Sequence, residues 1–175
     1  MGATTPVFSF EVTTRELEGL PDARGDSVKN MLASNYNINV ESVRVILGYQ
    51  VRANLSSDEA ERTVYDLFAD PVMEEGSVNT RLLDNSRIFS EAPQIVIQAG
   101  FKPAVTDNAG QAGLDGLLTL FPHLATDAAV ATTRTYAFWG VPENTSAEWL
   151  ASKLHNPMIE RASIASKTEC EKSAW

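Results

Sequence analysis

Residues 101–118 read FKPAVTDNAGQAGLDGLL, and residues 20–32 read LPDARGDSVKNML. In both stretches an apolar segment passes through a proline into an aspartate, and a glycine three residues later opens an apolar helical pattern. Asp107 and Gly110 thus match Asp22 and Gly25. Tyr49 and Tyr136 lie 87 residues apart, and Pro71 of the DPVMEE run at 70–75 lies 86 before Pro157 of the NPMIER run at 156–161. These matches at nearly one offset point to a tandem duplication of a unit of about 70 residues, a reading that fixes architecture before any local assignment.

The order of elements repeats around those anchors. VFSFEVT at 7–13 alternates apolar and polar residues, with Val7 or Phe8, Phe10 and Val12 as inward candidates, and predicts a strand. Val28, Met31, Leu32 and Tyr36 then mark one helix face, starting at Asp22 or Asp26 and closing in the asparagine-rich 35–39. Residues 40–55 carry Val43, Val45 and Leu47, then Tyr49, Val51, Ala53 and Leu55. That pattern predicts two strands joined by a tight turn at Leu47-Gly48, with one long bent strand as the alternative. Ser56 and Glu59 have capping-box spacing before an apolar face of Ala60, Val64, Leu67 and Phe68. Asp70-Pro71 stops that helix, because a residue preceding proline is pushed out of helical geometry, and Val72 and Met73 are expected to open a fourth strand.

The second copy follows suit. Ile95, Ile97 and Ala99 predict a strand; Leu114, Leu117 and Leu118 predict a helix face; 128–133 and 135–140 predict paired strands. Thr145-x-x-Glu148 repeats the capping box ahead of Trp149, Leu150, Leu154 and Asn156-Pro157. The expected organisation is a first unit over 1–75, a connector over 76–93, a second unit over 94–164 and a polar tail over 165–175. A connector of that length is unusual within a compact domain, so Leu82, Leu83, Ile88 and Phe89 are expected to pin it into a surface groove. The fold class is α+β: two ferredoxin-like β-α-β-β-α-β units, each a four-stranded antiparallel sheet, pack their bare sheet faces or join sheet edges as an intramolecular pseudo-dimer with the helices outside.

Bulk properties narrow the function. A net charge of -9 is inconsistent with nucleic acid as the main partner, since phosphate binding needs a concentrated basic face. No apolar run approaches the roughly 18 residues of a membrane span, and MGATTPVFSF lacks a signal-peptide layout, so a cytoplasmic protein is expected. Cys170 has no partner for an intramolecular disulfide and sits in a polar tail, where an incidental thiol is the expected reading. His123 and His155 lack metal-ligand spacing and read as helix-end imidazoles. Gly110, Gly113 and Gly116 resemble an anion cradle at a helix start, but close helix packing is the simpler reading. Asp107 reads as an N-cap. The aspartate–glycine pairs, Asp22 with Gly25 and Asp107 with Gly110, read as structural corners setting each helix on its sheet. Trp139 and Trp149 point to extra burial or a partner contact. No catalytic set, cofactor site or metal site emerges.

The run KPAVTDNAG at 102–110, with Asn156-Pro157 and Asp70-Pro71, resembles the PurS family. In particular it is similar to the N-terminal region of bacterial phosphoribosylformylglycinamidine synthases that carry two PurS-like units in one chain. The likeness spans residues 8–164, although the first copy has Leu20-Pro21-Asp22 and no Lys-Pro. The resemblance implies a non-catalytic domain of purine biosynthesis that bridges a synthetase and a cysteine glutaminase, in cis or in trans, and supports ammonia transfer between them. ATP and Mg belong to the synthetase, with no cofactor in this chain. Lys102 and Pro103 become the candidate partner contact. A fragment of a longer synthase and a free-standing subunit both fit, and oligomeric state is open. Two other classes compete: a ferredoxin-like regulatory module binding a small effector where the units meet, and an enzyme with a site on its sheet.

Overall fold

The computed structural model of the chain describes residues 4–15, 22–124 and 128–166. The elements run β1 (Val7–Thr14), α1 (Ala23–Tyr36), β2 (Ser42–Arg52), α2 (Ser57–Thr63) continued by a π-helical turn (Val64–Phe68), and β3 (Glu74–Val78). After a short 3-10 turn at Leu82–Asp84 come β4 (Ile95–Phe101), α3 (Asn108–Leu120), β5 (Ala129–Trp139), α4 (Ala147–Leu154) and β6 (Glu160–Ser166). All pairings in the single six-stranded sheet are antiparallel, in the order β3-β1-β2-β5-β4-β6. The protein is therefore α+β with one open antiparallel sheet.

Two expectations are corrected here. The tight turn at Leu47-Gly48 is absent: β2 runs unbroken, as does β5, so each half is β-α-β-α-β rather than β-α-β-β-α-β. Gly48 serves a different purpose. A Cβ there would lie 2.2 Å from the Thr133 hydroxyl on the neighbouring strand, and Gly100 flanks the same threonine from the other side. The glycine makes room across the sheet instead of turning the chain. Second, each half supplies three strands rather than four, and of the two expected ways to pair the structure has the joined edges. The halves join through β2 and β5, from Ser42 opposite Trp139 to Arg52 opposite Ala129. This register is symmetric: a shift of 87 residues carries the Tyr49–Thr132 pair onto the Tyr136–Val45 pair.

Alternation along β2 sends Val43, Val45, Leu47, Tyr49 and Val51 to the face that carries the helices. There the halves exchange partners. α1 packs with α4 around Leu32, Ile97, Phe138, Leu150 and Leu154, whereas α3 packs with α2 and its π-turn around Phe10, Val51, Val64, Leu117 and Phe121. Gly113 and Gly116 permit that second contact, since a Cβ on Gly116 would come within 2.4 Å of Leu67 and one on Gly113 within 3.4 Å of Phe68. Burying a large side chain of this kind is worth about 1.5–3 kcal/mol, so two mixed clusters bind the halves strongly.

The opposite face is covered in part by the connector. Leu82 and Phe89 are buried with Ile46, with Leu83 and Ile88 half-buried beside them. Phe89 stacks on Trp139 with centroids 5.9 Å apart, and the Trp139 indole donates to the Glu91 carbonyl at 3.1 Å. Trp149 meets Tyr36 edge-on at 5.1 Å, so Trp139 and Trp149 each make contacts inside the chain. α4 is capped by Ser146, whose hydroxyl accepts from the Trp149 amide at 3.1 Å, and not by Thr145. The Ser56–Glu59 capping box is present, and α1 begins at Asp22 rather than Asp26. Val72 and Met73 lie in the turn before β3, both exposed. Among the described residues no helix is long and apolar enough to cross a membrane. Leu20, Pro21, Cys170 and the tail from 167 onward lie outside the described residues.

Candidate functional site

At both aspartate–glycine corners one carboxylate oxygen caps the helix and the other accepts from a strand amide, although the individual donors differ. Asp22 caps α1, accepting from the Arg24 amide at 3.2 Å, and its other oxygen accepts from the Val45 amide of β2 at 3.4 Å. Asp107 caps α3, accepting from the Gly110 amide at 2.7 Å, and its other oxygen accepts from the Thr132 amide of β5 at 2.6 Å and the Thr132 hydroxyl at 2.9 Å. One carboxylate thus satisfies orphan donors of a helix end and of a strand. The glycines let the helix sit this low. A Cβ on Gly25 would lie 2.0 Å from the Val43 carbonyl oxygen, and one on Gly110 would lie 2.6 Å from that of Val130. Asp22 also meets Arg44 at 3.4 Å.

Each half has a second matching construction at its Asx-Pro turn. The carboxylate of Glu74 accepts from the Asp70 amide at 2.9 Å, and that of Glu160 from the Asn156 amide at 2.7 Å. Asp70 accepts from the Met73 and Val72 amides, bonds that hold its carboxyl below the usual carboxylate range. The remaining oxygen of each glutamate takes an arginine, and here the halves diverge. Glu74 takes Arg24 of α1 at 2.6 Å, while Glu160 takes Arg134 of β5. By the spacing of the corners, Ala109 stands in α3 where Arg24 stands in α1; by the strand register, Leu47 stands in β2 where Arg134 stands in β5.

That exchange leaves space. A cavity of about 230 Å³ opens where β2 and β5 meet, on the helix face, lined by Leu47, Tyr49, Ala99, Phe101, Ala109, Thr132, Arg134 and Glu160. Tyr49 stacks on Phe68 with centroids 4.0 Å apart, and burial pushes its hydroxyl pKa up, so it stays protonated. Glu160 is buried, whereas the Arg134 side chain is 44% exposed. Among the described residues the arginine makes one side-chain hydrogen bond, through Nη2 to Glu160, and Nε and Nη1 have no acceptor there.

Lys102 and Pro103 lie beside this cleft, at the end of β4. The Lys102 amide donates to the Ile159 carbonyl at 2.9 Å and its ammonium to the Pro157 carbonyl at 2.5 Å, tying the turn at 102–105 to the Asn156-Pro157 turn. The Val105 amide closes that turn onto Lys102 at 3.1 Å, with Pro103 exposed and Ala104 at a φ of 68°. Met158 is 80% exposed and Ile159 is 40% exposed, an apolar tip on the same staple.

Arg134, Glu160 and Ala109 were not among the residues singled out by sequence. A signal for Glu160 exists: both turns read Asx-Pro-x-x-Glu, placing a carboxylate four residues after the Asx. Nothing local flags Arg134, whose role depends on the strand beside it. His123 lies 3.4 Å from Glu59, and His155 bonds the Ala151 carbonyl at 2.6 Å, each at a helix end. Among the described residues no group of three or more His, Cys, Asp or Glu side chains is placed to hold a metal ion. The fold and cleft define an α+β protein with a joined antiparallel sheet and an apolar hollow beside the β2–β5 seam. No protein-family model matches the chain, and no curated protein matches its sequence.

Proposed function

We propose that the chain is a non-catalytic assembly domain of phosphoribosylformylglycinamidine synthase, built of two PurS-like, ferredoxin-like units that pair within one chain as a pseudo-dimer. The observation that carries this reading is the pair of matching Asp–Gly corners, which sit in the Lys102–Gly110 run resembling PurS and in its earlier copy. The symmetric β2–β5 register is what a duplicated unit pairing with itself would adopt. In this role the domain bridges the synthetase, which holds ATP and Mg, to the glutaminase, and supports passage of ammonia between them in the cytoplasm. The turn bearing Lys102 and Pro103, stapled to the exposed Met158 and Ile159, is the partner contact: an apolar tip on a rigid turn is a suitable anchor. Mixing the chain with the separate synthetase and glutaminase is expected to yield a ternary complex with glutamine-dependent ligase activity. A mixture with no complex and unchanged activity would overturn the reading.

A further inference from the structure

We infer that the cleft beside the β2–β5 seam binds a small carboxylic acid with an apolar body, its carboxylate held by Arg134 above a floor of Leu47 and Tyr49. The inference stands apart from the assembly role, since it rests on the cleft alone. At about 230 Å³ the hollow is smaller than the usual site for a drug-sized molecule, which sets the ligand at the scale of a single ring or short chain. The polar groups decide its charge. Arg134 keeps Nε and Nη1 for a ligand while its Nη2 bond to buried Glu160 orients the guanidinium plane in advance. Tyr49 lines the same cleft, its ring stacked on Phe68. The carboxylate oxygens are already engaged: Glu160 accepts from Arg134 and from the Asn156 amide, and Asp107 accepts from the Gly110 and Thr132 amides. Donors remain and carboxylate acceptors do not, which favours an anion over an amine.

The other half supports the same conclusion by contrast. There Arg24 reaches across to Glu74 from the position that Ala109 holds here. The smaller residue is what leaves the cleft open.

The test uses the whole chain in heteronuclear NMR titrations with hydrocinnamate, its neutral amide hydrocinnamide, and phenethylamine. Hydrocinnamate is expected to shift the amides of Leu47, Thr132 and Arg134 and to bind about tenfold tighter than hydrocinnamide, the value of one added charge-assisted bond. Ala109→Leu, at an exposed position in the first turn of α3, is expected to abolish those shifts by filling the space. Should that variant lose its dispersed spectrum, Ala109→Arg, which copies the other half, takes its place. Equal binding of acid and amide, or preference for the amine, would overturn the assignment of ligand class. No response to any probe, or shifts that survive the filled cleft, would overturn the site.

Discussion

The two corners of this molecule share a backbone and differ in what fills the space above it. At Asp22 the next turn of helix presents Arg24, which closes the gap by reaching Glu74; at Asp107 it presents Ala109, and Glu160 is reached instead by Arg134 from the strand. The comparison separates two kinds of constraint. The aspartate and glycine are dictated by backbone groups, since donors of helix and strand must be satisfied and a carbonyl oxygen stands where a Cβ would go. The arginine answers only to the buried glutamate, and any position within reach of that carboxylate serves. Geometry is therefore repeated where main chain meets main chain, and varies where side chain meets side chain.

The α2 and α4 segments differ in the same spirit. From its serine cap to the Asx-Pro turn the first half spends four residues more than the second, and the surplus is taken up in the π-helical turn at Val64–Phe68. That turn brings Leu67 and Phe68 against Gly116 and Gly113 of α3. α4 ends without one, at His155, and packs on α1 through Leu150 and Leu154.

The largest effect that would break the corner comparison is at the glycines. Gly25→Ala is expected to cost about 3 kcal/mol and Gly110→Ala about 2 kcal/mol in urea unfolding, ranked by how near each Cβ would come to a carbonyl oxygen. Equal or negligible losses would show that the helices can lift off the sheet freely. Removing the caps comes next. Asp22→Ala and Asp107→Ala should each lose about 2 kcal/mol, through a lost cap and an orphaned strand amide. The Asp22 variant should lose the more, because Arg44 also loses an ionic partner.

A smaller change has the opposite sign. Ala104 adopts a left-handed conformation at φ 68° behind Pro103, where glycine carries no Cβ penalty, so Ala104→Gly should gain about 1 kcal/mol in thermal unfolding. A loss would mean that the alanine packs in a way that outweighs its strain. The smallest expected effect is a slope. Glu11 lies beneath the connector, accepting from the Leu82 amide at 2.6 Å, and burial holds its carboxyl above the ordinary carboxylate value. The folded chain thus retains a proton that the unfolded chain releases. Its contribution to stability is present on the acid side and is lost as pH rises from the ordinary value through the raised one. Glu11→Gln should flatten that part of the stability–pH curve, and an unchanged slope would assign it to other groups.

Most of the helices, and the corners themselves, were readable because their causes are local. Asp22 and Asp107 precede their glycines at a fixed interval, Ser56 and Glu59 cap one another, and Asp70-Pro71 stops a helix by sterics. The cap of α4 was placed one residue early because Thr145 and Ser146 carry the same hydroxyl, and only the observed bond to Trp149 tells them apart. Gly48 was read as a turn because glycine between two apolar alternations suits one. Its reason is Thr133, 85 residues away in sequence and adjacent in the sheet. The resemblance to PurS makes Lys102 and Pro103 an expected partner contact, whereas the staple to Pro157 follows only from the β4–β6 pairing.

By itself, the sequence determined most helix starts and stops and the Asp–Gly corners, because each depends on bonds closed within a few residues. Tertiary structure alone decided that the edges join into one sheet, that helices pack across the halves, and that Ala109, Arg134 and Glu160 enclose a cleft. Those outcomes turn on which surfaces meet. Pairing β2 with β5 brings an arginine from one strand over a leucine and a tyrosine from the other, a juxtaposition set by long-range register and by nothing in either segment alone.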